Sequence, residues 1–356
     1  MTSTAKSRPP AAGKVRRVLF IRFSAIGDVL LTTPVIRLFH RCFPGTEIDF
    51  LIKEPFFPLV RHHPLLQQIR VLPQSPTLQD LSAMAKQIRT ARYDWIVDLQ
   101  GHWQSLFLTW NAGGARVTRY RKYSIRRFFL VYLKRDFYRG VAPTVPERYA
   151  RALRPLGCEW APLPLELFIP DEVEEAVSSR WPFAEEETVV ALAPGAGRAT
   201  KRWPAERYAE LARHLQEIAH ARILLLGGAQ DRQIGEAIRK NAGRGCENWC
   251  GETSLLETAA ALRRVRCLVT NDTGVMHMAR AVSTPLVAIF GPTVRQFGFY
   301  PEPGSARIVE VQKLRCRPCS YHGTATCPKK HFRCMLDIGV EEVLHAVLQQ
   351  LGSPDR

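Results

Sequence analysis

At 356 residues and 46% hydrophobic composition, the chain is too long for one ordinary core and apolar enough for two of roughly 150–180 residues each. No apolar run approaches the ~18 residues of a membrane-spanning helix, and the basic opening MTSTAKSRPPAAGKVRR lacks the apolar stretch of a signal peptide. The formal net charge of +17 implies an acidic partner, whether nucleic acid, an anionic membrane surface or a phosphorylated substrate.

In chain order, residues 1–14 read as a disordered leader. Residues 15–23 form a buried parallel strand around Val18-Leu19-Phe20-Ile21. Ser24 to Gly27 turn the chain into a helix that carries Asp28 in its first turn. A carboxylate there either caps the helix or does chemistry, because α/β sheets place their sites beyond the carboxyl ends of the strands. Strands follow at 47–52, 69–72 and 93–99, with a loop rich in proline and histidine from Pro55 to Pro64 and a helix at 78–90. Gln100 to Ser105 turn into the next helix.

Residues 116–139 change character. Nine cations, including Arg119, Arg121, Lys122 and Arg139, stand against the single acid Asp136, with tyrosines and phenylalanines interleaved. Such a segment lies on an anionic membrane, grips phosphates, or is only a solvated helix. A short helix at 149–156 leads to a proline-punctuated stretch and a polar helix at 171–180. The boundaries read as 15–170, a linker at 171–187, 188–335, and a terminal helix within 336–356. The second half restarts the alternation, with strands at 188–193, 221–226, 267–270 and 285–290. Alternation throughout argues α/β with parallel sheets.

Three post-strand loops in the second half carry ligand chemistry. Gly195, Ala196 and Gly197 let backbone approach a ligand closely, and Lys201 beside them can neutralise a phosphate. Asp272, Thr273 and Gly274 open a helix whose free N–H groups favour an anion. Gln230 or Asp231, after Gly227-Gly228, could hold a ribose hydroxyl. His277 lies one turn into its helix, either on phosphate or as a packing residue. Each loop alone is ordinary turn chemistry; three in the order of a doubly wound sheet point to a nucleotide. Nine cysteines without an export signal indicate reduced thiols or a metal site. Cys316, Cys319, Cys327 and Cys334 begin with a zinc-knuckle spacing that the second pair does not keep, so structural zinc and packed thiols both stand.

The succession RFSAIGDVLLTTP, DLQGHWQS, APGAGRATKRWP, LGGAQD, NDTGVMHMA and FGPT resembles the lipopolysaccharide heptosyltransferases of glycosyltransferase family 9, over residues 15–345. The resemblance implies a GT-B type α/β fold, with two Rossmann-like doubly wound parallel-sheet domains facing a cleft. It implies ADP-heptose as donor, and lipid A–Kdo or a heptosylated core as acceptor. Transfer would be inverting and without metal or other cofactor, at the inner leaflet of the cytoplasmic membrane, and nucleic acid is not a partner. Asp28 matches the catalytic aspartate and Lys201 the lysine on the donor phosphates. The loop 272–274 and His277 match donor-binding positions, and Thr253 to Leu255 fall where adenine packs. Ser24, Gly27, Gln100, Gly101, Arg119, Arg121 and Lys122 fall on the acceptor side. Ala196 and Gly197 replace hydroxyl residues found in some members, so phosphate contacts there come from backbone N–H groups. The alternatives are another donor or acceptor, including a protein hydroxyl, and a non-catalytic sugar-nucleotide-binding protein.

Overall fold

The computed structural model describes residues 15–138, 140–182, 186–302 and 304–352. The leader read at 1–14, Arg139 and residues 353–356 lie outside them. The chain divides into two compact units. The first comprises Met1–Tyr123 and Pro143–Phe168, and the second Ser124–Ala142 and Ile169–Arg356.

The first unit holds β1 (Arg17–Ile21), α1 (Ile26–Leu30), α2 (Thr33–Cys42), β2 (Glu47–Lys53), β3 (Gln68–Leu72), α3 (Leu78–Thr90), β4 (Trp95–Asp98), α4 (Trp103–Trp110) and β5 (Arg116–Arg119). Its sheet is parallel, in the order β3-β2-β1-β4-β5. The central strand β1 buries Val18 to Ile21 on both faces, which is why it reads as a continuous apolar run. Helix α3 starts on a reciprocal capping box between Thr77 and Asp80. The segment from Pro55 is not an open loop, because Glu54–Leu59 winds as a 3-10 turn.

Helix α5 (Ser124–Tyr132) interrupts the first unit in sequence but clusters with the second. The attachments are specific. Arg127 lies over the Phe297 ring, Lys134 donates to the carbonyls of Cys316 and Pro318, and Gln296 donates to Asp136. The basic stretch 116–139 is therefore two things: a strand and turn of one unit, then a helix and loop of the other. Helix α6 (Val145–Ala150) returns to the first unit.

The second unit continues with α7 (Asp171–Arg180), β6 (Val189–Ala193), α8 (Ala205–Ala219), β7 (Arg222–Leu225), α9 (Arg232–Ala242), β8 (Cys246–Asn248), α10 (Leu255–Arg264), β9 (Cys267–Asn271), α11 (Gly274–Ala281), β10 (Leu286–Phe290), β11 (Arg307–Glu310), α12 (Arg333–Leu336) and α13 (Val340–Leu351). Its parallel sheet runs β11-β10-β9-β6-β7-β8. Helix α7, read from sequence within a linker, packs on α10, with Glu174 paired to Arg263 and Arg180 to Glu252. Helix α13 is part of this core: Val343, Leu344 and Val347 bury against the cluster that holds Leu211 and Leu215. Among the described residues no helix is long and apolar enough to cross a membrane.

Candidate active site

In the first unit the chain leaves β1 through Arg22 and Phe23 and enters α1, placing Asp28 beyond the carboxyl end of the sheet. Asp28 does not cap this helix; the N-cap is Ala25 and makes no side-chain cap bond. Its carboxylate is held from two sides. Arg22 Nη2 lies 2.8 Å from Oδ2, and Tyr149 on α6 donates its hydroxyl to Oδ1 at 3.0 Å. Arg22 is itself fixed, with Nε donating to the Ser24 carbonyl and Nη1 to the Leu99 carbonyl, both at 2.8 Å. Its guanidinium lies over the Tyr149 ring. Complete burial pushes the Tyr149 phenol well above its ordinary value, so it remains a donor. A carboxylate oxygen offers two lone pairs, and each Asp28 oxygen has one left over.

The neighbouring loop is tied to the same strand end. Gln100 Oε1 accepts from the Phe23 amide at 3.0 Å, and buried Asp98 accepts from the amides of Gln100 and Gly101 and from Ser105 Oγ. Gly101 needs its positive φ of 55° for this turn, and Lys122 Nζ donates to its carbonyl. Arg119 pairs with Asp98 and donates to Thr109, while Arg121 is exposed. Ser24 offers its carbonyl to Arg22, and Gly27 is buried inside α1.

In the second unit Lys201 follows the loop after β6, and Asp272 follows β9. Lys201 Nζ lies 2.6 Å from Asp272 Oδ2, which also accepts from Thr293 Oγ1 at 2.8 Å. Burial opposes the charge on Asp272, but Lys201, Thr293 and His277 outweigh it and hold the carboxyl below its ordinary value. Thr273 is the N-cap of α11 and makes no side-chain cap bond, so the first-turn N–H groups from Gly274 on have no side-chain acceptor at the cap. His277 is buried one turn along, its Nδ1 3.2 Å from Arg280 Nη1.

The glycine loop is shaped from below. Asn271 Nδ2 donates to the Pro194 carbonyl at 2.8 Å and its Oδ1 accepts from the Trp203 amide, stapling both ends of the loop. A Cβ on Gly195 would fall 2.2 Å from an Asp231 carboxylate oxygen, so only glycine passes there, whereas Gly197 has open space. Asp231 is buried, with Oδ2 accepting from the Gly228 amide. Gln230 is exposed beside it, and Ala196 is buried with its carbonyl accepting from Arg202. Thr253 shares a 2.8 Å hydroxyl contact with Thr258, just ahead of the Ser254–Glu257 capping box and Leu255. These residues converge around one end of the second sheet.

Arg22, Tyr149 and Thr293 are not singled out by the sequence, whereas Asn271 opens the NDTG motif but serves there to staple the glycine loop. Arg22 and Thr293 lie inside quoted motifs, whereas Tyr149 has no sequence signal because it comes from 121 residues away. In the cysteine segment Cys319 Sγ donates to the Cys316 carbonyl, and Cys316 Sγ lies 3.7 Å from His331 Nε2. Cys334 is buried in the second core and Cys327 is half-buried. Burial pushes the thiols of Cys319 and Cys334 up to about 11 and about 12. Among the described residues no three His, Cys, Asp or Glu side chains form a group that could hold a metal.

The sequence model of glycosyltransferase family 9 (heptosyltransferase) matches residues 81–330. The chain is 27% identical to lipopolysaccharide heptosyltransferase 2 of Escherichia coli strain K12 over 83% of this chain and 88% of that one. It is 27% identical to lipopolysaccharide heptosyltransferase 1 of Pseudomonas aeruginosa over 92% and 93%. Among solved structures, the E. coli ADP-heptose lipopolysaccharide heptosyltransferase II superposes with a TM-score of 0.74 at 24% identity, covering 94% of this chain and 98% of that one. That likeness shows a fold of the GT-B type.

Proposed function

The chain belongs to glycosyltransferase family 9, and from that premise we propose that it transfers heptose from ADP-heptose to the inner core of lipopolysaccharide, with inversion and without a metal. One observation carries the reading: each unit holds an ion pair at the carboxyl end of its sheet, and one presents a carboxylate while the other presents a cation.

In the first unit Asp28 takes the proton from the acceptor hydroxyl as that oxygen attacks the anomeric carbon. The bond to the diphosphate breaks from the opposite face, which inverts the centre. Such a base contributes ~10²–10⁴-fold. Arg22 and Tyr149 fix the two carboxylate oxygens so that the remaining lone pairs face outward. Gln100, Gly101, Arg119, Arg121 and Lys122 form the acceptor side, where cations suit a core rich in carboxylates and phosphates.

In the second unit Lys201 and the N-terminus of α11 receive the negative charge that develops on ADP. Gly195 to Gly197 bring backbone N–H groups to the phosphates, His277 lies beside them, Gln230 reaches the ribose, and Thr253 to Leu255 pack on adenine. The lipid-anchored acceptor places the enzyme peripherally on the inner face of the cytoplasmic membrane.

The test is stabilisation by a nucleotide panel without metal. A ligand at ~100 times its Kd adds ~2.7 kcal/mol. ADP and ADP-heptose should raise the melting temperature, and UDP and GDP should not. No shift with ADP would overturn the donor assignment.

A further inference from the structure

Helix α5 and the loop after it carry an outward surface that the chemistry above does not use. Ile125, Phe128 and Tyr132 recur at helical spacing on the side away from buried Leu130 and Val131. They are exposed to 75%, 49% and 61%, and exposed Leu133 and Phe137 extend the row. Scattered exposed apolar residues are ordinary; five within thirteen positions form a patch.

The patch is held in place rather than loose. Phe128 and Tyr132 pack ring to ring at 5.0 Å, and so do Phe129 and Phe137. Beneath them Arg127 rests on Phe297 and Lys134 on the carbonyls of Cys316 and Pro318. The charge around it is one-sided. Among the described residues of 124–142 four cations, Arg126, Arg127, Lys134 and Arg135, stand against Asp136 alone, and Asp136 is already occupied by Gln296 and the Tyr138 amide. Arg126 and Arg135 are exposed on the same segment.

Aromatic and aliphatic side chains on one helix face, in a segment whose charge is one-sidedly positive, fit the boundary of an anionic bilayer. The apolar groups enter the headgroup region and the cations meet lipid phosphates. We propose that α5 is a bilayer-docking element, built on the second unit, that inserts Ile125, Phe128 and Tyr132 into anionic lipid. This deepens the peripheral placement proposed above, yet its argument rests only on the surface of α5.

The experiment is co-sedimentation of the full chain with vesicles of phosphatidylcholine containing phosphatidylglycerol, with neither donor nor acceptor present. A failure of the transferase reading therefore leaves its outcome intact. The parent should bind these vesicles, bind phosphatidylcholine alone far more weakly, and release at high salt. Ile125→Ser with Phe128→Ser should weaken partition at least about tenfold. Arg135→Glu should weaken it about fivefold or more, since each cation near the surface has an effect of that order. Ile218→Ser, which removes an exposed apolar side chain from α8, should change nothing. All variants should melt with the parent. A parent that ignores acceptor-free anionic vesicles would overturn the proposal. So would an Ile125/Phe128 variant that binds as the parent does.

Discussion

The two units carry ion pairs built in opposite senses. In the first, the cation is buried and the carboxylate is offered: Arg22 sits under the sheet end while the Asp28 side chain is 26% exposed. In the second, the carboxylate is buried, 8% exposed and paired from two sides, and it offers Lys201. Each unit thus pairs a carboxylate with a cation, and burial decides which partner faces solvent; on the proposed function the exposed carboxylate is the base and the more exposed lysine the anchor for the diphosphate. A carboxylate in a βα loop is therefore not assigned by its loop alone. Its depth, and what donates to it, decide whether it acts or positions.

Breaking each pair should expose this asymmetry. The largest effect expected is from Asp28→Asn, which keeps size and one acceptor oxygen but removes the charge and the proton acceptor. Its kcat should fall ~10²–10⁴-fold, measured by heptose transfer. Next is Lys201→Ala, with a loss of ~10²–10³-fold in transfer, as for removal of one donor to developing negative charge. Tyr149→Phe sharpens the comparison, because it removes one hydrogen bond to the Asp28 carboxylate while leaving the carboxylate itself in place. It should cost ~1.5–3 kcal/mol in chemical denaturation and lower kcat while leaving ADP affinity unchanged. A purely structural Tyr149 would lower stability and leave kcat in place.

Acid should separate the units by a smaller margin. His63 in the first unit is buried edge-on to Phe168, and burial and Arg37 push its imidazole down to about 4. The unfolded chain then binds that proton below about 6.5 while the folded one does not. Stability from this group is full above pH 6.5 and is lost as pH falls toward 4, ~2 kcal/mol of it by pH 5. Asp272 is held below 3.8, so its contribution persists to lower pH before it is lost. The first unit should loosen first on acidification, and His63→Leu should flatten that slope in melting curves between pH 7 and 5.

Much of the fold was legible in the sequence, and the misses have a common cause. The helix bounds at Leu78–Thr90 coincide with those read from sequence, the terminal helix Val340–Leu351 falls within the 336–356 stretch, and the central strands announced themselves as apolar runs. The strands not read are β5, β8 and β11, with sequences RVTR, CEN and RIVE. All three are sheet edges, where one side of the ladder is open and polar residues are tolerated. The site divided in the same way. Asp28, Lys201 and the 272–274 loop announce themselves because a turn, a cation or a helix start is local. Tyr149 does not, because its role depends on a contact 121 residues long. Nor does the inward turn of Asp272, which is set by Thr293 on another strand's loop.

The most direct test of the division of labour is ADP affinity measured by calorimetry on Asp28→Asn and Lys201→Ala side by side. Asp28→Asn should bind ADP as the parent does while transferring almost no heptose, and Lys201→Ala should lose most of its ADP affinity. An Asp28→Asn variant that loses ADP binding, or a Lys201→Ala variant that keeps it, would contradict the assignment of the base to one unit and the donor to the other.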